Sequence, residues 1–291
     1  MDLPPYAFAL IAAFLFALGD QFQALGLAHM GSRAGAAVSI TASAAAFWLV
    51  APWFLEISHF GHPAVLLFIF IGLIRPALSA NLAIAAIRHL GPTLAGTLSS
   101  ISPLFGVLFG VFWLGEILTW PIALGTGGII LAVISQARPG GTSVTGWPLW
   151  ALLLPMGAAA IRSLSHAVTK VGMIEIPDPY FAALVGFTVS ALLTTGLHQF
   201  QPSAGAGGLK WRGAGATWFL ISGFTFAAAV LSLNHGLMTG EIITVVPIIA
   251  AAPVFTMLLS IVVFRRERIT QRTVIALALV VPSVVTIVLN R

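Results

Sequence analysis

Apolar runs of helix length recur along the whole chain, separated by short breaks rich in Gly, Pro and charge. A bilayer core about 30 Å thick needs roughly 20 apolar residues per crossing helix. Ten segments meet that requirement, at 4–27, 35–55, 63–87, 92–114, 120–137, 147–173, 179–200, 214–238, 242–264 and 273–289. The two longest connections, 138–146 and 201–213, are Gly-rich, and nothing outside the apolar segments is long enough to form a domain. The pattern predicts an all-α, polytopic membrane protein of ten transmembrane helices.

One stretch of this pattern occurs twice. The first copy carries Ser99, Ser102 and Pro103, then an apolar run, then Leu114-Gly115-Glu116-Ile117-Leu118-Thr119. The second carries Pro253, an apolar run and Arg265-Arg266-Glu267-Arg268-Ile269-Thr270. The prolines stand 150 positions apart and the glutamates 151. An echo of that length predicts two homologous five-helix halves, 1–140 and 141–291, joined by the linker at 138–146. Five crossings per half is an odd number, so the second half is expected to enter the membrane inverted relative to the first.

Composition narrows the class. A mean hydropathy of +1.04, with 59% hydrophobic and 7% charged residues, leaves too little charge to cover a water-soluble surface. The Lys and Arg residues punctuate apolar runs instead of forming a basic patch, so nucleic acid is not expected as a partner; the lipid bilayer is. The absence of cysteine excludes disulfides and thiolate metal sites. Met1-Asp2-Leu3-Pro4-Pro5 lacks the basic region of a cleaved signal peptide. Trp48, Trp53, Trp113 and Trp120 fall at one set of helix ends and Trp147, Trp150, Trp211 and Trp218 at the other, as an interfacial belt requires.

The cations also set an orientation. Loops after odd-numbered segments hold Arg33, Arg88, Arg138, Lys210 and Arg212, with Arg265, Arg266, Arg268 and Arg272 after the ninth. The positive-inside rule then predicts an inner-membrane protein with odd-numbered loops in the cytoplasm and both termini outside.

Ionisable groups within lipid are costly and mark candidate chemistry. Arg75 and Arg162 lie near the centres of the third and sixth segments, roughly 17 Å from either interface at 1.5 Å per residue, too deep to snorkel to water. Each is expected to face a wet cavity or a partner. The sixth segment sets Arg162, Ser165, His166 and Thr169 at helical spacing on one face. The first offers Asp20, Gln21 and Gln23, and aligning Gly26 with Gly172 puts Asp20 opposite His166. Asp20 is the candidate for exchanging a coupling proton, His166 the second choice; alternatively Asp20 neutralises Arg75. Pro103 and Pro253 free the carbonyls of Ser99 and Ile249 and are candidate hinges. Ser79, Ser99, Ser102, Asn81 and Asn234 complete the substrate-binding candidates, with His235 and Thr225 as weaker polar intrusions. His59 and His62 lack further ligands for a metal. No phosphate cradle or hydrolytic trio is present, so neither an enzyme nor a cofactor is expected.

The repeat with Ser102-Pro103-x-Phe105 and Leu114-Gly115-Glu116-x-Leu118-Thr119 resembles the EamA-type transporters of the drug/metabolite transporter superfamily. The Gly125-Thr126-Gly127-Gly128 cluster fits, and the likeness spans nearly the whole chain. The first half departs from the family where many members carry a lysine shortly before a glycine: it has Ala24 and Gly26, whereas the second keeps Lys170-Val171-Gly172. The resemblance implies a secondary transporter, often an exporter of amino acids or other small metabolites. Two arginines against one aspartate favour a substrate bearing a carboxylate or phosphate. A flippase for a lipid-linked precursor, an exporter of lipophilic cations using Asp20, and a passive channel are the alternatives; substrate identity and oligomeric state stay open. A C-terminal fusion to a reporter that fluoresces only in the cytoplasm is expected to stay dark, and bright fluorescence would reverse the orientation.

Overall fold

The computed structural model describes residues 3–135, 148–200, 211–265 and 271–289. The described elements are helical. Helices α1 (Pro5–Gly26) and α2 (Ser32–Phe54) each match a predicted segment and are long and apolar enough to cross a bilayer. So do α7 (Leu153–Glu175), α8 (Pro179–Phe200) and α9 (Ala214–Thr239). Helix α6 (Trp120–Ser135) and α12 (Gln271–Leu289) are the other uninterrupted ones. The boundary expected at 140 and the cations Arg138, Lys210, Arg266 and Arg268 lie outside the described residues.

Three predicted segments are interrupted, each beside a proline. The third begins as α3 (Val65–Ile74) and continues through one π turn, Arg75–Ser79, into α4 (Ala80–Ser99). Pro76 has no N–H to give the carbonyl of Gly72, four residues back. Ser190 Oγ of α8 donates to that carbonyl instead, at 2.9 Å. The fourth segment breaks at Ser100–Ile101 before α5 (Ser102–Phe112), and the ninth at Ala250–Ala251 between α10 (Ile242–Ile249) and α11 (Ala252–Val262). Pro103 and Pro253 thus do not kink a helix interior as expected. Each sits in the first turn of a new helix, where a missing N–H is harmless.

The path of the chain turns back along α4, as its neighbours show. Ser79, just before it, meets the carbonyl of Ala158; His89 stacks edge-on with Trp150 at 5.0 Å; Ser99 meets Arg162. Ala158 and Arg162 are one turn apart on α7, about 6 Å, whereas a straight helix from 79 to 99 would span about 30 Å. The chain therefore descends along α7 and returns, as the break predicted between 87 and 92 requires.

The two repeats make the same contacts twice. Gly26 of α1 leaves room for Phe219 of α9, and Gly172 of α7 for Phe68 of α3; a Cβ would stand 2.7 Å and 2.5 Å from those rings. Ser43 Oγ donates to the carbonyl of Gly223 at 2.7 Å, as Ser190 does to Gly72. Such seats of small residues are how helices approach closely without a hydrophobic drive from water.

One face of the molecule gathers Pro5, which abuts Gly240, and the pairing of His59 with Asp178. We call it the Pro5 face. The opposite face, at Gly26, gathers His29 against Gly215, Phe22 against Phe264, and the His89–Trp150 contact. Arg33, Arg88, Arg212 and Arg265 are all exposed on the Gly26 face. Trp53 and Trp120, 76% and 81% exposed, sit at the Pro5 face, Trp150 and Trp211 at the other.

Replacing Gly72 or Gly223 by Val would force a side chain onto the backbone carbonyl of Gly186 or Ser39. Overpacking of this kind costs about 1–3 kcal/mol, so each variant is expected to melt several degrees lower in detergent. Gly61, with open space around it, serves as the neutral control.

Candidate functional site

A cavity of about 290 Å³ lies midway through the bundle, walled by α1, α2 and α3 of the first repeat and α7, α8 and α9 of the second. Its volume is at the low end for small-molecule sites. Arg75 enters at the junction of α3 and the π turn, a type of helix defect that recurs at functional sites. His166 and Thr169 enter from α7, Gln23 from α1 and Asn234 from α9. Phe16, Phe187 and Phe226 form the apolar part of the wall.

The site's electrostatics are one-sided. Arg75 makes no hydrogen bond or ion pair with any of the described residues, whereas it feels the like charge of Arg162. His166 faces both arginines. Among the described residues no Asp or Glu lines the cavity. The pairing of Arg75 with Asp20 is not made: Asp20 lies beside Thr256 of α11, outside the cavity lining, and the Thr256 hydroxyl itself donates to the carbonyl of Ala252. Beside it, Gln21 is buried and its Nε2 donates to the carbonyl of Thr256 at 2.7 Å.

The polar stripe expected on α7 divides. His166 and Thr169 reach the cavity. Arg162 turns aside and its Nη2 donates to the carbonyl of Ser99 at 3.3 Å. That carbonyl is free because α4 ends there, and the last carbonyls of a helix have no partner within it. The freed backbone oxygen expected at Ser99 thus meets an arginine of the other repeat.

The remaining candidates serve helix contacts. Ser79 Oγ donates to the carbonyl of Ala158, and Ser102 pairs with Ser163, both on α7. Asn234 lines the cavity and also ties α9 to α8, its Nδ2 donating to the carbonyl of Pro179 at 3.0 Å. His235 bonds its own helix at Leu231 and stacks on Phe8, and Thr225 bonds the carbonyl of Ile221. The side chain of Asn81 lies outside the described residues.

Sequence reasoning missed Ser39, Ser43 and Ser190 in the cavity wall. Serines on an Ala-rich helix carry no signal until the neighbouring helices are placed. It also assigned no role to Glu116 and Lys170, which bond each other at 2.8 Å. The recurrence of Glu116 and the preserved Lys170 were the available signals.

Comparison with known proteins bears on the whole chain. A search of curated proteins finds no match. A solved structure described as a crystal structure of a protein superposes with a TM-score of 0.80 at 20% identity, covering 98% of this chain and 96% of the other, which shows a shared fold. The family model of the EamA-like transporter family matches twice, over residues 3–135 and 149–289. With both repeats matched and apolar helices long enough to cross a bilayer, this multi-pass membrane protein belongs to the EamA-like transporter family.

Proposed function

We propose that this transporter moves a small organic anion, bearing a carboxylate or phosphate, across the inner membrane by alternating access. Ten crossings, as two inverted five-helix halves, carry the cavity between them, and rocking one half against the other exposes it to each side in turn. The observation that carries the reading is Arg75: a guanidinium in the central cavity without an anionic partner among the described residues.

An arginine at this depth costs about 2.5–3.5 kcal/mol even on insertion scales. A ligand anion supplies the missing counter-charge through a bidentate contact that lysine reproduces poorly. Gln23, His166 and Asn234 offer hydrogen bonds to the rest of the ligand, and the phenylalanines take its apolar part. Arg162 adds positive potential from behind Ser99. Asp20, beside Thr256, leaves the cavity without the acid that a lipophilic cation would need.

Counterflow in proteoliposomes with organic anions, amino acids and cationic dyes tests the reading. Hydrogen bonds to charged groups contribute about 1.5–3 kcal/mol, so Arg75→Ala is expected to lower kcat/KM for the transported anion by about 10- to 100-fold, with Arg75→Lys between. Full anion flux in folded Arg75→Ala, or counterflow of dyes alone, would overturn it.

A further inference from the structure

Glu116 lies just beyond α5, at the Pro5 face, and reaches across to the second repeat. Lys170 Nζ donates to Glu116 Oε1 at 2.8 Å and to the carbonyl of Gly240 at 2.7 Å. The N–H groups of Ile242 and Ile243, in the first turn of α10, donate to Oε1 and Oε2 at 2.8 and 3.0 Å. One carboxylate, 7% exposed, thus binds a cation and the N-terminus of a helix together. Charge-assisted bonds of both kinds are stronger than neutral ones, and the helix end favours the negative charge. Gly110 makes room: a Cβ there would stand 2.7 Å from Oε2.

The repeat should set a second clamp at the Gly26 face, and two of its donors are missing there. Aligning Gly26 with Gly172, which the matching Phe219 and Phe68 seats support, puts Ala24 where the second repeat has Lys170. Aligning Pro103 with Pro253 puts Pro92 where it has Ile242. Alanine carries no charge and proline has no N–H to donate. Two of the three donors to the carboxylate are therefore lost on one face and kept on the other; the third, the N–H of Ile243, has its counterpart in Thr93.

We propose that the Glu116–Lys170 clamp is a latch on the Pro5 face, biasing the transporter toward a cavity open at the arginine-rich Gly26 face. The proposal concerns regulation of the cavity and rests on the alternating-access reading. Lys170 follows Thr169, which lines the cavity, so the latch and the cavity share α7. It fastens the end of the first repeat's α5 to α7 and to the turn between α9 and α10. Opening the Pro5 face means parting these elements, and the clamp's four hydrogen bonds oppose that. With the Gly26 face in the cytoplasm, the bias favours loading from inside and hence export.

The chain has no cysteine, so single cysteines report access directly. Ala183→Cys lines the cavity toward the Pro5 face and Ala36→Cys toward the Gly26 face. A membrane-impermeant maleimide is applied to one face at a time in oriented vesicles. With the clamp intact, Ala36→Cys is expected to label readily from the Gly26 face and Ala183→Cys slowly from the Pro5 face. Adding Glu116→Ala or Lys170→Ala is expected to speed the latter by about fivefold or more and slow the former, a population shift toward the other state. The exchange Glu116→Lys with Lys170→Glu is expected not to restore the bias, because a lysine cannot accept from the N–H groups of Ile242 and Ile243. Unchanged labelling of Ala183→Cys when either alanine variant elutes as folded, monodisperse protein overturns the latch. Should both alanine variants fail to fold, Glu116→Gln and Lys170→Met in the same assay decide the matter by the same criteria. Labelling needs no substrate, so the latch and the anion reading can fail independently.

Discussion

A guanidinium that no acid among the described residues neutralises, held halfway through a stack of apolar helices, is the constraint around which this molecule is arranged. Lipid cannot solvate Arg75, and its backbone neighbours are committed to helical bonds. The surroundings therefore have to supply space for water or for an anion. The helix carrying Arg75 widens into a π turn at that residue, and Pro76 next to it releases the carbonyl of Gly72 to Ser190 of the other repeat. The same local defect thus aims the charge and ties the two repeats together.

What surrounds the cavity explains why the bundle does not collapse into it. The repeats meet through glycines seated against Phe68 and Phe219 and through serine hydroxyls on the carbonyls of Gly72 and Gly223. These contacts are short and specific and occur in matching pairs on either side of the cavity. Each repeat packs firmly onto the other at its periphery while the middle keeps Arg75 and His166 beside the phenylalanine wall. Arg162 extends the arrangement: kept off the cavity by the carbonyl of Ser99, it still adds its field to the site. Two like charges that feel each other in low dielectric are costly to hold together.

The approximate symmetry of the repeats is broken where it matters for motion. Glu116 joins Lys170 and the N–H of Ile242 on one face, and the counterparts of those two donors on the other are Ala24 and Pro92. Duplication supplies two equivalent positions for such a contact, and the sequence keeps all three donors at one of them only. The breaks at 100–101 and 250–251 fall at equivalent places in the two repeats, each just ahead of a proline in the first turn of the next helix.

Apolar run length and the doubled Pro–Glu–Thr stretch were enough to read a membrane-embedded, all-α protein with two homologous halves, because lipid imposes its thickness on every crossing and repetition is a property of the string itself. The depth of Arg75, and hence its need for a cavity, also follows from counting residues along a helix. Counting cannot say which way a side chain turns. Asp20 and Arg75 look like partners by depth, yet one lies beside Thr256 and the other lines the cavity; Arg162, Ser165, His166 and Thr169 share a helix face, yet only two of them line the cavity. The prolines likewise announce an interruption but not that each begins a new helix. Those choices, and the meeting of Glu116 with Lys170 and the first turn of α10, belong to the tertiary structure. They depend on distances between segments far apart in the chain, which only the packing of one helix on another can set.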